Sequence, residues 1–488
     1  MRKRIVVLGS DVNALVAAHY LAHADCNVTL VRERAAPAED ELEVGWIPPK
    51  IVKDLDLARY GLTIHEPDPW AVVNPDAEGL ELSRDIRQSA EAIRKLSARD
   101  AAKWPAFCER MHAHTRLLES LYTAPPPDPM AKSLRGLADL AGTALRVRGL
   151  GREGMESLFR LLPMSAADLL DDWFENDLLK GVLGAAAITH LAQGPRSGGT
   201  AFNLLHHHVG SPCGVFRQPL SNVRSALLRR TEVDVRNGTV ARIEVHEGRA
   251  KSVVLESGDA LPADAVVSGL PPARTLLELI DLAWLDPQLV RAVRNVRSRG
   301  VSVKIPLILD RDPRFTTLVI APSLDYLERA YDATKYGSIS TAPYIEARQT
   351  GQRGPGRFAV QVHVQYVPHS AKGVVWDTAE SDKLGRVIIA RIAERVRGFA
   401  GWVIEQHVLT PHDLEHIHGH PQGQEYDAEM ALYQVLWMRP VPELAQYRTP
   451  VHGLYLCGPA MHPGGGIAGA AGANAASVVL RDLKRRKR

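Results

Sequence analysis

The sequence predicts an α/β fold. A Rossmann-like dinucleotide-binding domain is interleaved with a mixed-sheet substrate domain and a helical region. Three observations predict it. The chain opens with a strand, a glycine-containing turn, an apolar helix and a second strand (Arg4–Val31). It closes with a short strand, a glycine-rich turn and a helix of small residues (Leu454–Ala476). Between them lie two long stretches of strand character, Val301–Leu309 and Arg357–Tyr366. Such apolar or alternating runs suit core or half-buried strands.

The opening unit has the pattern of a dinucleotide-binding βαβ element. Its phosphate fingerprint G-x-G-x-x-G/A falls on Gly9, Asp11 and Ala14, with Ser10 and Asn13 in the same turn. Gly9 and Ala14 satisfy the first and third positions. Asp11 stands where a glycine lets backbone touch the pyrophosphate. Two unit charges about 4 Å apart at an effective dielectric of about 20 interact by about 4 kcal/mol. An aspartate aimed at the diphosphate therefore weakens binding by roughly a thousandfold. Two alternatives stand beside that reading: Asp11 caps the following helix, or Arg2, Lys3 or Arg32 neutralises it.

From about residue 85 to 185 the pattern is amphipathic helix, broken by Pro125-Pro-Pro-Asp-Pro129. Val233–Val245, Ser252–Glu256 and Ala265–Gly269 read as strands returning to the nucleotide domain. The predicted boundaries are 1–70, 210–300 and 440–488 for the discontinuous nucleotide domain. Residues 71–209 and 301–439 form the substrate and helical part. No internal repeat or low-complexity linker is present.

The closing segment carries six glycines between Gly458 and Gly472. Gly464-Gly465-Gly466 lets backbone approach a ligand with no Cβ in the way. The helix that follows presents free N–H groups and a positive dipole end. His462 lies inside this turn.

The chain resembles the phytoene desaturase-like FAD-dependent oxidoreductases, and within them the branch named for a pyridine nucleotide–disulfide oxidoreductase domain. The resemblance spans nearly the whole chain. It rests on Asn13-Ala-Leu-Val-Ala-Ala, Met164-Ser-Ala-Ala-Asp-Leu-Leu-Asp-Asp-Trp-Phe, Gly194-Pro-Arg-Ser-Gly-Gly-Thr-Ala, Leu204-Leu-His-His-His and the C-terminal signature. It implies FAD as cofactor, with Gly9, Ser10, Asn13, Ala14 and Glu33 on the ADP side. On the flavin side it implies Gly458, His462, Gly464, Gly465, Gly466, Ile467, Gly469 and Asn474. His206 and His207 fall in a segment that lies on the family's substrate side, which makes them the candidate catalytic residues. A neutral imidazole there donates a hydrogen bond or shuttles a proton; a satisfied core histidine is the alternative. Arg196 is placed either to anchor a carboxylate or to stabilise its turn.

The chain departs from the family at several points. Asp11 is one. The acidic residue that closes the second strand and holds the adenosine ribose is Arg32 here, with Glu33 one step later. A shortened acidic segment, Ala35–Pro49, replaces the family's Gly-Gly excursion. Gln218-Pro-Leu-Ser-Asn-Val223 replaces Pro-x-Gly-Gly-Met. Two functions follow. The first is an FAD-dependent, dehydrogenase- or desaturase-like oxidoreductase acting on an apolar or conjugated small molecule. The alternative is a flavin-free degenerate relative serving as a structural or regulatory subunit, paired with an intact paralogue. Homo- or hetero-oligomers with a family member remain open. So does contact with a membrane surface, because carotenoid-acting members take substrate from the bilayer.

Composition excludes other classes. Of 488 residues, 59 are basic and 56 acidic, and a net charge of +3 gives no global preference for nucleic acid. The terminal Leu483-Lys-Arg-Arg-Lys-Arg488 is a local basic tail, read as a solvated helix end. Four dispersed cysteines without a C-x-x-C pair argue against a redox-active dithiol. No metal-ligand spacing stands out, so no metal is expected. His206-His207-His208 point in different directions, and the segment His412, His416, His418, His420 reads as a polar loop. No uncharged run reaches the length of a membrane span. With no signal-like segment ahead of the first strand, the expected location is the cytoplasm.

Overall fold

The computed structural model describes residues 2–33 and 42–485. Residues 35–41 of the acidic segment Ala35–Pro49 and the last three residues of the basic tail lie outside that range.

Five parallel strands form the first sheet, in the order Leu454–Leu456, Ala265–Ser268, Arg4–Leu8, Asn27–Arg32, Asp234–Asn237. The central strands are apolar on both faces: Val6, Val7, Val266 and Val267 are all buried. That is the pattern of a parallel sheet covered on both faces, and the three-stranded antiparallel sheet of Val240–His246, Arg249–Leu255 and Ala260–Pro262 packs on it. Helix Val12–His23 covers one face and packs against the last helix, Ala470–Arg485. The two approach closely because the second is glycine- and alanine-rich at the contact. A Cβ on Gly472 would lie 2.0 Å from the Asn13 carbonyl oxygen, and one on Gly469 2.7 Å from Val16.

The second sheet has seven strands, in the order Val403–Gln406, Ser302–Leu309, Phe358–Gln365, Tyr344–Gln352, Thr317–Ile320, Ala71–Val73, Leu80–Leu82. All neighbours are antiparallel except Thr317–Ile320 and Ala71–Val73. Helix Thr378–Ala393 buries Ile388 and Ile392 against it. A helical layer, including Ala98–Tyr122, Asp177–Ile188 and Thr200–His208, encloses an aromatic cluster of Trp104, Phe107, Phe174 and Phe216. A small three-stranded sheet of Glu43–Val44, Leu220–Ser221 and Ile64–His65 lies beside the glycine turn. Trp46 and Ile467 pair there by a β-bridge.

The α/β prediction with parallel and mixed sheets plus helices holds. One local expectation does not. The histidine-rich segment is helix Pro411–His418, not a loop, because Thr410 and Asp413 form a reciprocal capping box and Pro411 occupies the first turn. Among the described residues no helix is long and apolar enough to cross a membrane.

The contact at Gly472 carries a test. Gly472→Ala forces its Cβ against the Asn13 carbonyl and is expected to destabilise the fold by about 1–3 kcal/mol, the cost typical of overpacking. Chemical denaturation measures it.

Candidate functional site

A cavity of about 630 Å³ lies between the two sheets. Asp11, Asn13 and the turn Gly464–Ala468 line one side, and His190, His207, Lys304, His363, Glu425 and Tyr426 line the other. It therefore joins the first helix N-terminus to the seven-stranded sheet.

Asp11 is the N-cap of that helix. Its Oδ2 accepts from Asn13 N–H at 2.9 Å and its Oδ1 from Ala14 N–H at 3.2 Å. Of the readings open in the sequence, the capping one describes its contacts. The carboxylate occupies donors that a helix N-terminus otherwise offers to an anion. Burial pushes its pKa up to about 6, the two N–H groups opposing and the Asp427 charge adding to the rise. Gly9, at φ +114°, brings the chain against Gly269, and Ser10 completes the turn. Glu33 is engaged away from the cavity, accepting from Val240 N–H at 2.8 Å with Arg274 3.7 Å off.

The glycine turn is held from behind by Arg439, which is fully buried. Its guanidinium donates to six backbone carbonyls. Pro459 and Met461 belong to the turn; Tyr426, Ala428, Glu429 and Gln434 belong to the segment beside it. Burial lowers its pKa to about 10, so it stays charged at neutral pH. The glycines are required by what surrounds them. A Cβ on Gly465 would lie 1.8 Å from the Tyr426 ring, on Gly464 2.4 Å from Met430 Sδ, and on Gly466 2.7 Å from Gln218. Gly458 packs against Gly269 in the same way.

The predicted histidines separate by role. His206 clamps the turn: Nε2 lies 2.7 Å from the Gly465 carbonyl and must donate, so Nδ1 accepts from the Tyr122 hydroxyl at 2.9 Å. Its imidazole touches the backbone of the turn, and both ring nitrogens are occupied. His207 lines the cavity, with the Gln218 side chain and the Thr189 backbone as its polar neighbours. Burial lowers both to about 3, with neighbouring positive groups adding, so both are neutral at pH 7. His208 turns away to the Val215 carbonyl. His462 contacts the Leu121 carbonyl at 3.0 Å. Asn474 donates to the Tyr122 carbonyl and to the Tyr447 hydroxyl, which in turn donates to the His462 carbonyl. Ile467 pairs with Trp46, and Gly469 sits on Val16. Arg196 is exposed and paired with Asp325 at 2.5 Å, a loop-to-helix tie.

The far wall is charged. Glu346 pairs with Arg217 at 2.9 Å and with Arg348, and accepts from the Tyr344 hydroxyl at 2.5 Å. Lys304 Nζ lies 2.6 Å from Glu425 Oε2. Burial opposes ionisation of Glu425, but Lys304 and His190 hold its pKa below the usual range. Sequence spacing does not single out Arg439, Glu346, Lys304, His363 or Glu425.

The sequence matches the flavin containing amine oxidoreductase family over residues 53–480. The chain belongs to that family. It is 30% identical to pyridine nucleotide-disulfide oxidoreductase domain-containing protein 2 of Rattus norvegicus, covering 98% of this chain and 93% of the relative. It is 25% identical to a limonene dehydrogenase subunit of Castellaniella defragrans over 98% and 94%. It is 26% identical to hydroxyneurosporene desaturase of Cereibacter sphaeroides over 99% of each. A redesigned putrescine oxidase shares the fold at a TM-score of 0.60 and 11% identity, over 99% of each chain. Cyclohexylamine oxidase from Brevibacterium oxydans does so at 0.55 and 13%, over 99% and 100%.

The family implies a flavin, and the site fits one at the glycine turn. The cavity reaches Gly464, Gly465 and Gly466 between the side chains packed on them, and buried Asn13 Oδ1 lacks a hydrogen-bond partner among the described residues. At the helix N-terminus the capping Asp11 carboxylate competes with a diphosphate.

Two outcomes follow. Arg439→Met strands six buried carbonyls and is expected to cost about 3–5 kcal/mol, the loss seen when a buried charged network is broken; denaturant unfolding measures it. For Asp11, a folded pKa near 6 against the usual 3.8 means its contribution is fully present below about pH 4 and lost as pH rises to about 6. Asp11→Asn, which keeps a capping oxygen, should gain up to about 3 kcal/mol over wild type at pH 7.5. The gain should shrink toward pH 4. A difference that stays constant with pH would contradict a buried carboxyl.

Proposed function

We propose that the protein is an FAD-dependent oxidoreductase that dehydrogenates an apolar or conjugated small molecule with one polar end. The observation that carries this is the cavity joining the glycine turn to a wall of both kinds: Phe216, Leu307 and Val360 beside Lys304, Glu346 and Glu425. The relatives named as desaturase and dehydrogenase support the reaction class.

Gly464, Gly465 and Gly466 would hold the flavin, with Asn13 and Ala14 toward its diphosphate. When bound, the flavin supplies the hydride acceptor, so the protein must mainly position a C–H bond and exclude water. His206 fixes the Gly465 carbonyl. His207 offers a neutral imidazole nitrogen to the cavity. The aliphatic wall excludes water, and the paired charges opposite orient the polar end. Asp11 gives up its charge when a diphosphate settles.

The exposed Met130, Leu134, Leu137, Leu145 and Phe159, among Arg146 and Arg148, support contact with a membrane surface. We place the protein on the cytoplasmic side of such a surface. The occupied helix N-terminus favours a second reading, a flavin-free subunit paired with an intact relative, and one relative is itself named as a subunit.

Absorbance from the near-ultraviolet to the visible, before and after incubation with FAD, separates the readings. A flavin spectrum is expected; a protein that stays colourless with FAD and co-purifies with a second family member would establish the flavin-free reading. Asp11→Gly is expected to tighten FAD binding about tenfold at pH 7, and by less at pH 5.5. Fluorescence titration measures both.

A further inference from the structure

His190, His363 and Glu425 meet in the cavity from three separate places. His190 follows helix Asp177–Ile188, His363 lies on strand Phe358–Gln365, and Glu425 begins the segment that Arg439 anchors. One ligand atom from each lies within 4.8 Å of the others. His190 Nδ1 and Glu425 Oε1 face each other at 3.5 Å on side chains 10% and 12% exposed. Among the described residues neither atom has a hydrogen-bond partner. Leaving a buried polar atom unsatisfied costs about 1–3 kcal/mol, so the pair is suited to a shared occupant.

Gln365 decides the form of the third group. Its Nε2 donates to the Ile188 and Leu191 carbonyls, so its Oε1 is an acceptor. That oxygen accepts the His190 backbone N–H at 3.1 Å and meets His363 Nε2 at 3.0 Å. His363 Nε2 therefore carries the proton, and Nδ1 carries the lone pair. An acceptor fixed on the far ring nitrogen, which sets tautomer and ring orientation, is the kind of support that metal-ligating histidines have. His190 is held as firmly. Its backbone is left-handed, at φ +57°, and its carbonyl accepts from Gln424 Nε2 at 2.9 Å. Such strain in a non-glycine residue concentrates at functional sites.

We infer that His190, His363 and Glu425 form a binding site for a divalent transition-metal ion. Two imidazoles and one carboxylate suit Zn²⁺, Co²⁺, Ni²⁺ or Fe²⁺ and not Mg²⁺ or Ca²⁺, which need mostly oxygen ligands. Lys304 on Glu425 Oε2 leaves Oε1 as a single ligand atom. Its charge opposes the ion and so sets a modest affinity. Ligands about 2.1 Å from zinc in a tetrahedron lie about 3.4 Å apart, so loading closes the cluster by about 1 Å. This inference requires no bound flavin.

The test uses the full-length protein, treated with a chelator, dialysed, and titrated with ZnCl₂, CoCl₂ and MgCl₂. Calorimetry should show one equivalent of Zn²⁺ and no Mg²⁺ heat, and Co²⁺ should develop visible ligand-field absorption. Glu425→Gln and His363→Ala should each weaken Zn²⁺ at least about tenfold. Thermal melts show whether each variant is folded. Lys304→Met removes a repelling charge and should tighten Zn²⁺, which a variant acting only by unfolding cannot do. The stacked pair His412 and His416, with ring centroids 4.0 Å apart, is the competing surface site. His416→Ala should leave binding unchanged. Absence of Zn²⁺ and Co²⁺ binding, loss of binding in His416→Ala, or no tightening in Lys304→Met would each overturn the assignment.

Discussion

The cavity depends on one interaction, the insertion of the Arg439 guanidinium among six backbone carbonyls. Among the described residues no carboxylate pairs with it directly. Its five N–H donors are spent on peptide oxygens from two chain segments that would otherwise be buried without partners. Lysine presents three donors on a point charge and cannot satisfy that geometry. The charge therefore serves as a crosslink: on one side the glycine turn through Pro459 and Met461, on the other Tyr426 through Gln434.

That crosslink explains why the glycines cannot be other residues. Arg439 pulls the segment carrying Tyr426 onto Gly465 and the segment carrying Met430 onto Gly464, leaving no room for a Cβ at either. His206 closes the turn from the helical layer, and Tyr447 with Asn474 closes it from the last helix. The turn is thus preorganised before any ligand arrives, so little ordering cost falls on binding. The same crosslink sets Glu425 one residue from an anchored carbonyl, which fixes the charged wall opposite the turn.

The sequence exposed what is local. Strand–turn–helix patterns placed the βαβ unit and the glycine turn, because hydrophobic period and glycine clustering survive in a linear reading. The capping box at Thr410 and Asp413 was equally local, with Pro411 as a further sign; the density of histidines obscured it. Arg439 was not legible, because a single arginine before a proline carries no mark of burial. Nor was the meeting of His190, His363 and Glu425, which only the packing of a loop, a strand and an anchored segment creates. His206 and His207 were visible as a pair, but their division into clamp and cavity group follows from the helix rotation between adjacent residues. Glu33, one step past the strand, turns to Val240 and Arg274.

Asp11 shows how structure changes a magnitude estimated from sequence. A fixed charge facing a diphosphate implies a penalty of about 4 kcal/mol. The charge is not fixed. Burial raises the carboxyl to about 6, so neutralising it at pH 7 costs about 1.4 kcal/mol, a factor of ten. An approaching diphosphate raises the pKa further and favours the neutral acid. Protonation leaves Asp11 as a hydrogen-bond donor facing an anion, where a carboxylate would repel it. The burial that makes this aspartate an uncomfortable cap is therefore what makes it a weak competitor. On the proposed reading, Asp11 in place of glycine lowers affinity for a dinucleotide without closing the site to it.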